Sequence, residues 1–248
     1  MQEAFSLNQP AISSEWAMQD YSMSRQAERR ALIELAELKQ GATVVDIQAA
    51  GGFLSDGVYE YLDGHVKCVC VEPVKELRRR IDERFIKVDD QIDNLVSIDS
   101  DSVDVVLGLA GLHHSPSIEN TLKESLRVLK PQGVFAMCDV IKDSSIARWL
   151  NEFVDRYNPD GHEGHFFVPG EVSDCLRRTG FRDISEQILN VPWVFESSKD
   201  LAHFFKGLFN LDLPEHEVEQ AIPEYLEVVN KGTQLAVNWE LIYVRAIK

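Results

Sequence analysis

The first residues of this chain whose types and spacing could do chemistry together are a pair of acids separated by a run of small residues. In VVDIQAAGG, residues 44–52, an apolar and β-branched run leads into Asp46, and Gly51 and Gly52 close the stretch. Two glycines at the mouth of a helix leave backbone amides free to face a ligand. Glu72, in VCVEP with Pro73 beside it, follows Gly52 at the spacing, about 20 residues, where an acid ending a second strand holds ribose hydroxyls. A small-residue turn and an acid so placed point to a nucleoside-bearing ligand.

Histidines supply a second group. His113 and His114 follow the apolar run VDVVLGLA and would stand at the edge where that ligand binds. A neutral imidazole there can take a proton from a hydroxyl or amine; the plainer reading is a satisfied polar group near a helix start. His162 and His165, in HEGHFFVP, look at first like a metal pair. HEGH is not the His-Glu-x-x-His zinc motif and no third ligand is evident, so no metal site is expected. These two histidines and Phe166 are expected to line a loop over the pocket, or to face solvent. Cys68 and Cys70 alternate with valines in VKCVCV, the pattern of buried thiols on one strand face.

These residues need a scaffold. Apolar strands are expected at 43–47, 66–71, 85–88, 103–110 and 134–140, with helical patterns such as LKESLRVL (122–129) between most of them. Near-continuous apolar strands spaced by helices argue for a parallel sheet buried on both faces. Pro131 and Gly133 mark the turn into the strand at 134. Upstream, Ser24 is expected to cap a helix that carries Ala27, Ala31, Leu35 and Leu38 and ends at Gly41. Later come an amphipathic helix (146–157), a loop (158–170), a short helix ended by Gly180, and two strands near 184–195 and 235–247. The roughly forty residues between those strands are helical in pattern, long for a connection, and suit a cap or a dimer surface. In that insert Phe204, Phe205, Leu208 and Phe209 form an apolar face, expected as the core of the cap.

Taken together, Asp46-Ile-Gln48-Ala-Ala50-Gly51-Gly52, Glu72 and the stretch SVDVVLGLAGLHHSPSIENTLKESLRVLKPQGVFAMCDV resemble the class I S-adenosylmethionine-dependent methyltransferases. In that family the first strand ends in an acid followed by alternating glycines; here Gln48 and Ala50 replace two of them. Alanine is a mild change. Glutamine would point toward the methionine part of the cofactor, where its amide can hydrogen-bond the amino or carboxylate group, or would shift the loop. The resemblance implies a three-layer α/β/α fold: a doubly wound, seven-stranded, mostly parallel sheet with an antiparallel last strand, plus helical caps. It divides the chain into an N-terminal lid (1–40), a cofactor-binding core (41–195), a helical insert (196–232) and a final strand (233–248). It implies S-adenosylmethionine as cofactor and S-adenosylhomocysteine as product. Glu72 takes the ribose. Asp90 best fits the partner of the adenine amino group, with Asp89 or Asp93 as alternatives, and Gly108 and Leu109 end the fourth strand beside the cofactor. Tyr21 and Trp16 lie in the segment that relatives use as a lid, and the default for such aromatics is to pack the N-terminal helix onto the sheet. His113 and His114 become candidate proton acceptors in methyl transfer, and His162, His165, Phe166 and Trp16 candidate contacts to the acceptor.

Composition narrows the partners. With 41 acidic against 25 basic residues, a net charge of -16 works against nucleic acid and anionic membranes and favours a small-molecule acceptor. No run is long enough to span a bilayer, the N-terminus lacks the parts of a signal peptide, and four cysteines suit a reducing cytoplasm. A homodimer is compatible with the insert. No Gly-x-Gly-x-x-Gly follows a strand, no Tyr-x-x-x-Lys pair occurs and no Gly-Lys-Ser/Thr exists, which weighs against a dehydrogenase and a P-loop enzyme. The expected function is methyl transfer to a small organic acceptor. The alternatives are a methyltransferase-fold domain that has lost the cofactor and serves as a binding partner, and, more weakly, an enzyme with a macromolecular acceptor.

Overall fold

Strands that are apolar on both faces can be buried only by pairing edge to edge between two layers of helices, and the chain folds that way. The computed structural model describes Ala17 and residues 21–162 and 164–248; Trp16 lies outside these described residues. In chain order the elements are α1 (Gln26–Leu35), β1 (Thr43–Ile47), α2 (Phe53–Tyr61), β2 (Lys67–Val71), α3 (Lys75–Arg78), β3 (Ile86–Val88), β4 (Val103–Leu109), α4 (Ile118–Val128) and β5 (Leu129–Val140). Then follow α5 (145–157, with a π-helical stretch at Trp149–Val154), α6 (Glu171–Thr179), β6 (Arg182–Asn190), β7 (Trp193–Phe195), α7 (Ser198–Leu208), α8 (Glu215–Tyr225), β8 (Val228–Lys231), β9 (Gln234–Val237) and β10 (Glu240–Ile247).

The main sheet has the order β3-β2-β1-β4-β5-β10-β6, with β10 antiparallel to both of its neighbours. This is the expected doubly wound, seven-stranded sheet. Its strand order reverses between β1 and β4, the place where such sheets bind ligands beyond their strand ends. One face (Val45, Ile47, Val106, Phe135) packs with Leu122 of α4 and Leu176 of α6; the other (Val44, Cys70, Leu107, Cys138) packs with Leu32 of α1, Leu54 of α2 and the late helices. Among the described residues, no helix is long and apolar enough to cross a membrane.

Three expectations about the elements are corrected. The two late strands each break in two: β6 stops before Pro192, which has no N–H to donate, and the other segment breaks at Asn238 and Trp239. Val191 N donates to Trp239 O at 2.7 Å, so both segments turn at one level. The freed pieces β7 and β9 join β8 in a second, three-stranded sheet of order β7-β9-β8. The first helix begins after Arg25 and ends at Leu35, and Ser24 does not cap it; Ser24 instead offers its carbonyl to Val194 N at 3.1 Å, on β7. Pro131 and Gly133 lie within β5, in a bulge where Gln132 takes φ 68° and the pairing with β4 shifts register.

The second sheet is locked to α1 by a buried charge pair. Arg25 donates twice to the Glu28 carboxylate, at 2.8 Å each, and Trp193 Nε1 donates to the same group at 2.9 Å. Trp193 stacks on Trp239 at 3.8 Å between ring centroids, and the Arg25 guanidinium lies 4.7 Å over the Trp193 ring. A second buried acid ties β1 to α2. Asp46 accepts a 2.7 Å hydrogen bond from Ser55 Oγ, which also lies 3.1 Å from Cys70 Sγ. Burial pushes the Asp46 carboxyl up to about 7, against the Ser55 hydrogen bonds and with the help of the neighbouring Glu72 charge.

Replacing Glu28 with alanine strips a buried carboxylate from Arg25 and Trp193. Urea unfolding of Glu28→Ala should show a loss of about 3–5 kcal/mol, with Glu28→Gln losing less because it keeps an acceptor for Trp193. Asp46 carries a pH signature. Its folded value stands above the ordinary carboxylate value of about 3.9, so protonation favours the folded chain; that stability is complete below about pH 4 and is lost as pH rises through about 7. The term is on the order of 4 kcal/mol. The difference in stability between Asp46→Asn and the parent should therefore change steadily in the variant's favour from pH 4 to pH 8, and a pH-independent difference would refute the assignment.

Candidate functional site

Parallel pairing of β1 with β2 and β4 sets Ile47 level with Val71 and Gly108. The turns that follow these three strands therefore emerge side by side. The turn after β1 takes left-handed backbone at Gln48 (φ 60°), Ala50 (φ 40°), Gly51 (φ 92°) and Gly52 (φ 95°). Gln48 and Ala50 thus follow a path suited to glycine, at a cost of about 1 kcal/mol or more each. Gly52 is the residue that opens α2.

Gln48 turns its side chain toward the β4 turn. A Cβ on Gly111 would stand 2.2 Å from Gln48 Oε1, so any larger residue at 111 would have to displace this amide. Gln48 Oε1 is buried and has no hydrogen-bond partner among the described residues. Glu72, 2% exposed, grips the same turn: its Oε2 accepts from Ala50 N at 2.9 Å and its Oε1 from Val74 N at 2.8 Å. Burial raises the Glu72 carboxyl above its ordinary value, and these two amides oppose the rise. Pro73 gives its carbonyl to Arg78.

The other cofactor candidates are placed less directly. Asp90 spends its carboxylate on Ser97, accepting from N at 2.7 Å and from Oγ at 2.9 Å, and so closes the turn after β3. Asp89 is exposed, 3.6 Å from Arg78. A Cβ on Gly108 would meet Leu112 Cδ1 at 2.6 Å, so a larger residue there would have to push that side chain aside; Leu109, half-buried, ends β4. Tyr21 lies against the late insert, donating to Asp200 Oδ1 at 3.2 Å and meeting Phe204 edge-on at 5.7 Å.

A short 3-10 turn, Leu112–His114, carries both histidines inward. His113 Nδ1 lies 2.6 Å from Asp139 Oδ1, and its backbone N donates to Asp139 Oδ2 at 3.1 Å. Asp139 sits fully buried near the end of β5. His162 reaches the same place: its ring is 5.1 Å from that of His114 and 5.8 Å from that of His113. Phe166 covers the group, 5.2 Å from His113 and stacked on His162 at 5.9 Å. Desolvation, aided by His113, lowers His162 to about 3, so this ring is neutral. His165 goes elsewhere. It is exposed, with Nε2 2.7 Å from Glu171 Oε1, the solvent-facing one of its two expected places.

The histidines border a cavity of about 50 Å³ at the ends of β4 and β5, with the Arg25–Glu28 pair as a second polar wall and Leu150, Phe209 and Trp239 as an apolar one. Arg25, Glu28, Asp139, Asn151 and Gly111 adjoin the candidate residues, and sequence reasoning passed over them. For Asp139 a signal existed: an acid inside the apolar run VFAMCDV is buried and must be paired.

The residues around the first turn fit S-adenosylmethionine. Gln48 offers a buried acceptor that has no donor among the described residues, the Glu72 oxygens keep lone pairs beyond those given to amides, and Gly51 and Gly52 open a helix. Comparison with known proteins bears on the family. Residues 20–186 match the family described as methyltransferase domain. A sterol 24-C-methyltransferase of Clavispora lusitaniae is 30% identical over 109 residues, 43% of this chain and 26% of that protein; the match thus spans about a quarter of that relative's length. An uncharacterised chloroplastic methyltransferase of Arabidopsis thaliana is 25% identical over 177 residues, 64% of this chain and 48% of its own. The crystal structure of YcgJ from Bacillus subtilis superposes with a TM-score of 0.62 at 16% identity, over 89% of this chain and 97% of that one. The phosphoethanolamine N-methyltransferase 2 of Haemonchus contortus, solved with S-adenosyl-L-methionine, gives 0.63 at 14% identity, over 95% and 56%. A family match across two thirds of the chain, on a sheet of this order, makes the protein a member of the class I S-adenosylmethionine-dependent methyltransferases.

Proposed function

We propose that this chain moves a methyl group from S-adenosylmethionine to a small organic acceptor. The observation that carries the reading is the contact between its two halves. Gln48 of the cofactor turn packs on Gly111, two residues before His113, so the cofactor turn and the histidine-lined cavity adjoin. When bound, S-adenosylmethionine supplies an electrophilic methyl for in-line displacement. The protein's own task is then to align the acceptor and keep water away.

Glu72 would hold the ribose hydroxyls, Gln48 Oε1 the cofactor's ammonium group, and the turn at Gly51–Gly52 would let backbone approach it. Asp139 fixes the His113 ring with its proton on Nδ1, which leaves Nε2 able to take a proton from an acceptor O–H or N–H. Leu150, Phe209 and Trp239 keep the space dry. A cavity of about 50 Å³ takes only the reacting end of an acceptor, roughly four water-sized atoms, and does not suit the ring system of a sterol. The net charge of -16 argues in the same direction, against nucleic acid. Four free, buried cysteines suit a reducing compartment such as the cytoplasm.

A second reading, a binding domain of the same fold that no longer takes the cofactor, draws on one observation: both Glu72 oxygens already serve backbone amides. Calorimetric titration with S-adenosylmethionine and S-adenosylhomocysteine separates the two. Methyl transfer requires a dissociation constant of about 100 μM or tighter, roughly 5.5 kcal/mol. Gln48→Gly, which keeps the left-handed backbone and removes the acceptor, and Glu72→Gln should each weaken binding about tenfold. No heat from either ligand would hand the lead to the binding-domain reading.

A further inference from the structure

His113, His114 and His162 are all buried, and each offers a ring nitrogen that lies within 4.8 Å of the other two. Two of the rings are held from behind by oxygen: His113 Nδ1 by Asp139 Oδ1 at 2.6 Å, and His162 Nδ1 by Asn151 Oδ1 at 3.1 Å. An acceptor at Nδ1 selects the tautomer that carries its proton there and leaves a lone pair on Nε2. His162 Nε2 is buried with no hydrogen-bond partner among the described residues, and a buried polar atom of that kind calls for one. We propose that these three imidazoles bind a divalent first-row transition-metal ion of the zinc class, with one coordination position open to the cavity.

Three protein ligands and one exchangeable position are the arrangement of catalytic zinc sites. A carboxylate or amide oxygen behind each ligating imidazole is what orients such ligands. An all-imidazole set suits zinc, copper or nickel and disfavours magnesium and calcium, which want oxygen. To meet an ion at the usual ~2.0–2.1 Å, each ring nitrogen has to close in by roughly 0.7 Å at most. The loop that brings in His162 is built for close approach. His165 N donates to His113 O at 2.9 Å, and a Cβ on Gly164 would stand 2.8 Å from His113 Cδ2. Asn151 and Gly164 also line an open cavity of about 320 Å³, which offers a way in from solvent. The inference stands on this geometry and not on the methyl-transfer reading. With an ion in place, His113 Nε2 would be a ligand, and the ion would take over the acidification of an acceptor atom at the open position.

The test uses the full chain stripped with a chelator and then titrated with Co2+ under visible spectroscopy, and with Zn2+ in competition with a chromophoric chelator. One equivalent should bind, with the visible bands of four- or five-coordinate cobalt and without the near-ultraviolet band of cysteine ligation. His162→Ala should weaken Zn2+ binding at least 100-fold, and Asp139→Asn by about 10–100-fold. Asn151→Ala, at an exposed position that leaves the fold intact, should weaken it about tenfold. His165→Ala should bind as the parent does. Failure to bind a stoichiometric ion, a thiolate band, or equal affinity in the parent, His162→Ala and Asn151→Ala would each overturn the site, whatever the outcome of the cofactor titration.

Discussion

Everything at this site depends on the parallel pairing of β1 with two neighbours at once. Because Ile47 is level with both Val71 and Gly108, three turns leave the sheet at the same height and must share the space above it. Glu72 reaches back to Ala50, and Gln48 reaches across to Gly111. Each turn is held by a side chain or a small residue from its neighbour, so the cofactor turn and the histidine turn form one packed unit.

Asp139 does for the other half what Glu72 does for the first. Its carboxylate lies fully buried and takes hydrogen bonds from His113 N and Val140 N besides facing the His113 ring. A carboxylate kept in a water-poor place needs that many donors. The consequence is that the direction of one imidazole is set by the end of β5 and not by the loop that carries it. His162 arrives from a segment some fifty residues further on, and a single missing Cβ at Gly164 lets it come close.

Much of this was legible from residue order. Strand positions β1 to β4, the acid at 72, the left-handed glycines before α2, the buried thiols and the histidines after β4 all follow from local pattern, since period and turn chemistry are local properties. What escaped was decided by distance along the chain. Nothing near Ser24 reveals that its carbonyl is needed by Val194, and nothing in the late alternating segments says which residues leave the main sheet for a second one. Asp90 stands in the third turn, and its bonds to Ser97, seven residues later, are not announced by local pattern. His162 and His165 looked equivalent in HEGH; Asn151 and Glu171 separate them, drawing one into the core and the other to the surface.

The seam between the two ends of the chain has a kinetic meaning. Arg25, just before the first helix, Glu28, within it, and Trp193, Phe209 and Trp239, from the late segments, close one cavity, and they are fastened by Trp193 to Glu28, by Ser24 to Val194 and by Tyr21 to Asp200. A molecule that enters or leaves by this side must part bonds made between two distant parts of the sequence. Opening of such a seam is a collective motion of the kind that runs on the microsecond-to-millisecond scale, and exchange by that route can be no faster than the seam opens.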